Sequence, residues 1–260
     1  MSLSGAGGDG ASVSPTNEAF FSSSQFNEWF LAHAEELRRR YREDLDQIAE
    51  LVPPGRLLDV GCGPGLLLDE ARRRGWSVQG VEASEAPAAI ARERFSLPVF
   101  SGPLEEAPLP AESFDAVTFF DVLEHVPDPR RVLDHAVRLL RPGGLLVAQS
   151  PNLESLMARL TGEKWRWYFL PQHLHHFTPA TMEKLLRTAG LVPVRTLTWD
   201  AHEEFAANLQ DRFATLRGAS RARTLLRRGV RVGLRIGSRF WERLGWGGLV
   251  RVFARKEIPS

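Results

Sequence analysis

The residues with the clearest chemical potential lie between Asp59 and Glu82. The segment LLDVGCGPG at 57–65 places Gly61, Gly63 and Gly65 after an apolar run, where the chain can turn sharply and approach a ligand without a Cβ in the way. A dinucleotide fingerprint would run G-x-G-x-x-G, with pyrophosphate resting on a helix N-terminus. Here the third glycine falls one position early and Leu66 follows it, so the loop alone leaves open a nucleotide-like ligand or a tight strand-to-helix turn. Glu82 stands 17 residues after Gly65, at the end of a second apolar run. A carboxylate there can accept hydrogen bonds from both hydroxyls of a ribose, or it is a solvated strand end. Further on, HLHHF at 173–177 offers His173, His175 and His176. They could serve as a proton acceptor at neutral pH, as partners of backbone carbonyls, or as metal ligands. The metal reading is weak: two of the three are adjacent and no cysteine nearby completes a zinc pattern.

These residues need a frame to bring them together, and the chain supplies one by alternation. Strands are expected at 57–60, 76–81, 97–101, 114–120 and 145–149, with helices at 65–74, 84–95 and from Asp128-Pro129 to the stop at Arg141–Gly144. Ser84 is the expected N-cap of its helix, as is Asp128 of the next. Thr178-Pro179 opens another helix that closes at Gly190, followed by strands at 191–199 and 248–255. The expectation is α/β: a doubly wound, seven-stranded, mostly parallel sheet with right-handed crossovers. Phe26, Phe30, Ala34, Leu37, Tyr41, Leu45 and Ile48 recur three or four apart, which predicts one long helix ending before Pro53-Pro54. The domain boundaries read as a flexible tail at 1–18, an N-terminal helix at 19–52, and a main domain at 53–200 and 247–257, with a helical insertion at 201–246. Hydrophobic residues at 43% and charged residues at 25% are those of a soluble globular protein. The single cysteine, Cys62, excludes an internal disulfide framework. No apolar run approaches the ~20 residues of a membrane-spanning helix, and no basic and apolar leader opens the chain, so the expected location is cytoplasmic.

Taken in order, LLDVGCGPG, VEAS, SFDAVTFFDVLEHVPDP, LLRPGGLLVAQSPN and HLHHFTPATMEKLLRTAGL resemble the motifs of class I S-adenosylmethionine-dependent methyltransferases, in the branch of the ubiquinone-biosynthesis O-methyltransferases and related small-molecule methylases. The resemblance covers roughly 26–190 and implies a Rossmann-like methyltransferase fold. It further implies that S-adenosyl-L-methionine is the cofactor and S-adenosyl-L-homocysteine the product. Asp59 and the loop Gly61, Cys62, Gly63 and Gly65 would hold the methionine portion, Glu82 the ribose and Ala83 the adenine. Asp121 and Val122 would line the methionine side, with His125 nearby. Relatives often carry an acidic residue after strand three for the adenine amino group, whereas this chain has Gly102-Pro103-Leu104 before Glu105. Adenine recognition is then expected from the Leu104 backbone. His173 matches the histidine of the family pattern H-L-x-x-F-T-P and is the expected catalytic base or hydrogen-bond partner. Trp165, Trp167, Tyr168 and His176 are the expected acceptor-binding residues, the aromatic run reading equally as ordinary packing. No metal is expected, because displacement at a sulfonium needs no Lewis acid.

The implied function is methyl transfer, to oxygen, on a small-molecule or lipid-linked acceptor. The alternatives are a methyltransferase-fold binding module without turnover and an NAD-dependent oxidoreductase. In the insertion, Arg223, Arg227, Arg231, Arg235, Arg239 and Arg243 repeat every fourth residue, with Leu226, Val230, Leu234, Trp241 and Leu244 on another side. This basic amphipathic stretch reads as an anionic membrane surface contact through 212–246, or as a helical cap or dimer surface with a solvated arginine face. Nucleic acid is the least favoured partner, for want of aromatic platforms spaced for bases.

Overall fold

The computed structural model describes Asn17 and residues 20–165, 167, 168, 170–199 and 241–258. Most of the expected 1–18 tail, the stretch 200–240 with its arginines from Arg223 to Arg239, the side chain of Phe26, and Phe169 lie outside the described residues.

The N-terminal helix is two helices, α1 (Ser24–Ala32) and α2 (Ala34–Ala49). The break falls at His33, whose backbone sits at φ −101°, ψ 16°. Its Nδ1 donates to the Trp29 carbonyl at 2.8 Å, competing with the ladder bond to the same oxygen, and its ring stacks on Trp29. A side-chain donor inserted in this way is a recognised cause of a helix break.

The main domain alternates β1 (Arg56–Val60), α3 (Leu66–Arg73), β2 (Ser77–Glu82), α4 (Glu85–Phe95), β3 (Val99–Ser101), β4 (Phe114–Phe120), α5 (Pro129–Leu139), β5 (Leu140–Pro151), α6 (Leu156–Thr161), α7 (Pro179–Thr188), β6 (Leu191–Trp199) and β7 (Leu249–Lys256). The seven strands form one sheet in the order β3-β2-β1-β4-β5-β7-β6; β1 to β5 pair in parallel, and β7 is antiparallel to both its neighbours. The expected stop at Arg141–Gly144 appears as an irregularity in β5, between the pairs Phe114–Leu140 and Ala116–Leu145.

Alternate strand residues feed two cores, as period-two patterning requires. Leu58, Val117, Phe119 and Leu146 pack with Val132 and Leu133 of α5 and Met182 and Leu186 of α7. On the other face, Leu57, Ala116, Leu145 and Phe253 pack with Leu45 and Ile48 of α2, Leu68 of α3 and Ala88 of α4. Arg38 fixes α2 to α3 through Asp69 at 2.7 Å and Glu70 at 2.8 Å. Strand order reverses between β1 and β4, which opens a crevice beyond their carboxyl ends, and α2 lies along it.

Candidate active site

The crevice is a cavity of about 390 Å³ with two chemically different ends. At one end β1 runs into the glycine loop, and the amide of Gly61 donates to the Val81 carbonyl at 2.8 Å. Gly61 has φ +72°, and a Cβ there would lie 2.5 Å from Val122 Cγ2, so the loop and Val122, two residues past β4, touch only because the side chain is absent. Gly65 sits outside the cavity lining; its added Cβ would meet Leu97 at 2.6 Å and Ala91 of α4 at 2.9 Å, which makes it a packing position against α4.

Glu82 is buried at the tip of β2. Its Oε2 accepts the Gly63 amide at 2.8 Å and its Oε1 the Ser84 amide at 2.9 Å. Burial pushes its pKa up, and the backbone amides pull it back down. Ser84 does occupy the N-cap of α4, but its hydroxyl makes no capping bond. Asp59, 4% exposed, accepts the Thr118 hydroxyl at 2.6 Å. Burial pushes its carboxyl up to about 7, with the charge of Glu82 adding and the Thr118 bond opposing. Asp121 follows β4 in left-handed backbone, φ +58°, with both carboxylate oxygens near Gln149 Nε2 at 3.1 and 3.3 Å. Asp121 is exposed to the open cavity, and the groups packed around it raise its pKa against the positive charge of Arg40. Ala83, Cys62, Leu104 and Glu105 complete this end. Glu105 was not expected here, yet its Oε2 is buried without a hydrogen-bond partner.

The other end holds Glu124, His125 and His173. Nδ1 of His125 meets the Gln172 carbonyl at 2.9 Å, and Nδ1 of His173 the Trp167 carbonyl at 2.9 Å. A carbonyl only accepts, so each Nδ1 carries the proton and each Nε2 is the basic nitrogen. The rings meet edge to face at 4.7 Å. Burial lowers both pKa values to about 4, aided by the neighbouring imidazoles, so both rings are neutral at pH 7. Both Glu124 oxygens are buried without hydrogen-bond partners, and burial with the charge of Asp121 pushes its pKa well up. Among the described residues, the group that could hold a metal is Glu124, His125 and His173, whose ligand atoms lie within 4.8 Å of one another. His175 and His176 of the HLHHF segment do not join it.

The wall opposite the sheet comes from Phe20, Phe21, Trp29 and Phe30, with Leu37, Arg40 and Tyr41 of α2. Asn17 donates to the His125 and Gln172 carbonyls, and Phe21 meets the His125 ring at 4.9 Å. Of the residues expected at the site, Asp59, Gly61, Cys62, Gly63, Glu82, Ala83, Leu104, Asp121, Val122, His125, Trp167 and His173 line this one cavity. Trp165 instead packs against Met157 and Ala158, Tyr168 is 38% exposed, and His176 lies against Tyr168. Arg40 lies in none of the motifs, whereas Glu124 and Gln149 lie within SFDAVTFFDVLEHVPDP and LLRPGGLLVAQSPN but were not among the residues expected at the site.

A family model described as a methyltransferase domain matches residues 33–196. The ubiquinone biosynthesis O-methyltransferase of Hahella chejuensis is 36% identical over 159 residues, 56% of this chain and 66% of that protein. Its namesake in Xylella fastidiosa is 34% identical over 164 residues, covering 56% and 65%. This chain thus spans about two thirds of the length of the curated relatives it matches. A solved S-adenosylmethionine-dependent methyltransferase of Thermotoga maritima, described as a possible histamine N-methyltransferase, is 25% identical with a TM-score of 0.62, covering 92% and 97% of the two chains. The [4+2]-cyclase SpnF, 24% identical with a TM-score of 0.57 over 85% and 81%, shares the fold. The chain belongs to the methyltransferase-domain family, the S-adenosylmethionine-dependent class, and its strand order is that of the Rossmann-like methyltransferase fold.

The residues present suit that cofactor. Four buried acidic side chains (Asp44, Asp59, Glu82 and Glu124) and the exposed Asp121 line the cavity together with the cation Arg40, a set of acceptors suited to a ligand with cationic centres. The Glu105 Oε2, buried without a hydrogen-bond partner, can accept from a ligand donor.

Proposed function

We propose that the chain transfers a methyl group from S-adenosylmethionine to an oxygen of a small, largely apolar acceptor. One observation carries the reading: a carboxylate held by two backbone amides, Glu82, sits beside the glycine turn with Asp59 and Asp121 in the same cavity. Glu82 spends one lone pair of each oxygen on the protein and keeps the others for the two ribose hydroxyls. Glu105 Oε2 is suited to the adenine amino group and the Leu104 backbone to the ring edge. Asp59 and Asp121 would take the ammonium of the methionine portion, and Arg40 its carboxylate. When bound, the donor supplies an electrophilic methyl group on a sulfonium that is its own leaving group. The protein's part is to align the acceptor and exclude water, effects worth up to ~7–11 kcal/mol when alignment is good. His173, with its Nε2 unprotonated, would hold the proton of an acceptor hydroxyl, and His125 supports the same end. The aromatic wall of Phe20, Phe21, Phe30 and Trp167 suits a phenolic or lipid-linked acceptor. The names of the relatives favour oxygen as the methylated atom.

Calorimetric titration with S-adenosylhomocysteine and with NAD tests the donor: the first should bind and the second should not. Labelled donor offered with phenolic, sugar and lipid-linked acceptors tests turnover, and binding without transfer to any of them would leave a binding module. No helix among the described residues is long and apolar enough to cross a membrane. The basic stretch 212–246 is proposed to rest on an anionic membrane surface; at its described end Leu244 is 48% and Trp246 36% exposed, with the Arg159 guanidinium 5.5 Å from the Trp246 ring. Flotation with anionic vesicles, with and without 212–246, decides this, since equal partitioning of both forms would end the idea.

A further inference from the structure

Arg251 lies on β7, beyond the segment matched by the family model, and is 2% exposed. Its Nη1 meets Asp44 Oδ1 at 2.6 Å and Gln47 Oε1 at 3.1 Å, both on α2. Its Nε and Nη2 both donate to Gln149 Oε1, at 3.1 and 2.5 Å. The guanidinium carbon is 5.0 Å from the centre of the Phe120 ring, next to Asp121 in the chain.

A guanidinium has donors and no acceptor, so the Gln149 amide must present its oxygen to Arg251. Its nitrogen then necessarily faces the other way, toward the two oxygens of Asp121. Were the amide to flip, its nitrogen would oppose the buried Arg251 donors and its oxygen would oppose the Asp121 carboxylate. Asp121 has a second constraint: its backbone occupies the left-handed region, where non-glycine residues persist only when their surroundings fix them. We infer that Arg251 is a positioning residue for donor binding: through the polarity of the Gln149 amide it aims the Asp121 carboxylate into the cavity, and through Asp44 it ties that carboxylate to α2. The inference rests on the proposal that Asp121 faces the methionine end of the donor.

The test compares two ligands that share a nucleoside. S-adenosylhomocysteine carries the amino-acid portion, and 5′-methylthioadenosine lacks it. The Arg251→Met variant should lose roughly tenfold or more in affinity for S-adenosylhomocysteine, the scale of a buried charged hydrogen bond, and keep that for methylthioadenosine within about twofold. In an Asp121→Ala background the same substitution should change neither affinity further, since the two residues act as one unit. Equal loss of both ligands, or an undiminished effect in that background, would assign Arg251 to fold support alone and overturn the inference. Should Arg251→Met fail to fold, Gln149→Glu tests the same link through the same ligand ratio; it leaves Arg251 paired and sets like charge against Asp121. A wild-type protein that bound the two ligands equally would overturn the donor-site reading itself, which is a different failure from a variant that loses both alike.

Discussion

The two ends of the cavity are built in opposite ways. The end proposed to hold the donor is made from the tips of β1, β2 and β4, neighbours in one sheet, and its principal carboxylate is held by backbone amides. The histidine end is assembled from Asn17 and Phe21, from Glu124 and His125, and from Trp167 and His173, segments that meet largely through side chains on carbonyls, with the Leu174 and His175 amides on the Glu124 carbonyl as the backbone link. Backbone-held groups tolerate changes elsewhere because the sheet sets them. Side-chain contacts between distant segments can be rewired one residue at a time. Such an arrangement lets one fold carry different chemistries, which agrees with a fold shared by proteins described as O-methyltransferases, a possible N-methyltransferase and a cyclase.

The comparison breaks first at Glu82. Replacing it with alanine removes two charge-assisted hydrogen bonds of about 1.5–3 kcal/mol each, so S-adenosylhomocysteine should bind about 10²- to 10⁴-fold more weakly by calorimetry. Undiminished affinity would mean that the donor does not sit at the tip of β2. His173→Ala should act on the other end alone: kcat falls roughly 10²- to 10³-fold, the worth of a general base, while the dissociation constant of S-adenosylhomocysteine stays within about twofold. Parallel loss of both would mean that the two ends are not separable.

The same contrast explains what the sequence disclosed. LLDVGCGPG and Glu82 can be read together because strand, turn and helix bring residues close in the chain to one reversal of strand order. The spacing of Leu37, Tyr41, Leu45 and Ile48 identifies a helical face but not what it faces; Leu45 and Ile48 enter the core, whereas Leu37 and Tyr41 line the cavity. The break at His33 depends on a side-chain bond that no periodicity records. The described residues of 165–176 form no helix or strand. Trp167 and His173 therefore turn inward while Trp165, Tyr168 and His176 turn elsewhere, and composition alone cannot sort them. In the sequence a proline and a leucine displace Glu105 from the usual acidic position, yet the short 3₁₀ turn Leu104–Glu106 swings it back to the cavity.

A subtler separation lies in pH. Asp59 is raised to about 7, chiefly by burial, so the free protein holds a proton there that an unfolded chain releases near 4. An ammonium ligand favours the ionised carboxylate. Affinity for S-adenosylhomocysteine should therefore rise by up to about tenfold per pH unit below 7 and level off above it, a slope that Asp59→Asn should abolish. Stability of the ligand-free protein follows the linkage with its sign fixed by each shift. The Asp59 contribution is present below pH 4 and lost as pH rises to 7. That of His125 and His173, lowered to about 4, is present above 6.5 and lost as pH falls toward 4. Asp59→Asn should accordingly raise the melting temperature at pH 8 and leave it little changed at pH 4. A flat affinity profile in the wild-type protein would place the ammonium away from Asp59.

The smallest effect is expected where the wall is widest. Phe30 lines the cavity from α1, away from the strand tips, and contributes area rather than a hydrogen bond. Phe30→Leu keeps an apolar side chain and removes part of a ring. At ~25 cal/mol per Å², a few tens of Å² of lost contact amount to about 1 kcal/mol, roughly a fivefold change. That change should appear in the KM for an apolar acceptor, with kcat and the dissociation constant of S-adenosylhomocysteine nearly unmoved, because removing contact made equally in ground and transition states alters binding alone. If the donor constant moved instead, α1 would belong to the donor end, and the boundary between the two halves of the cavity would have to be redrawn along α2.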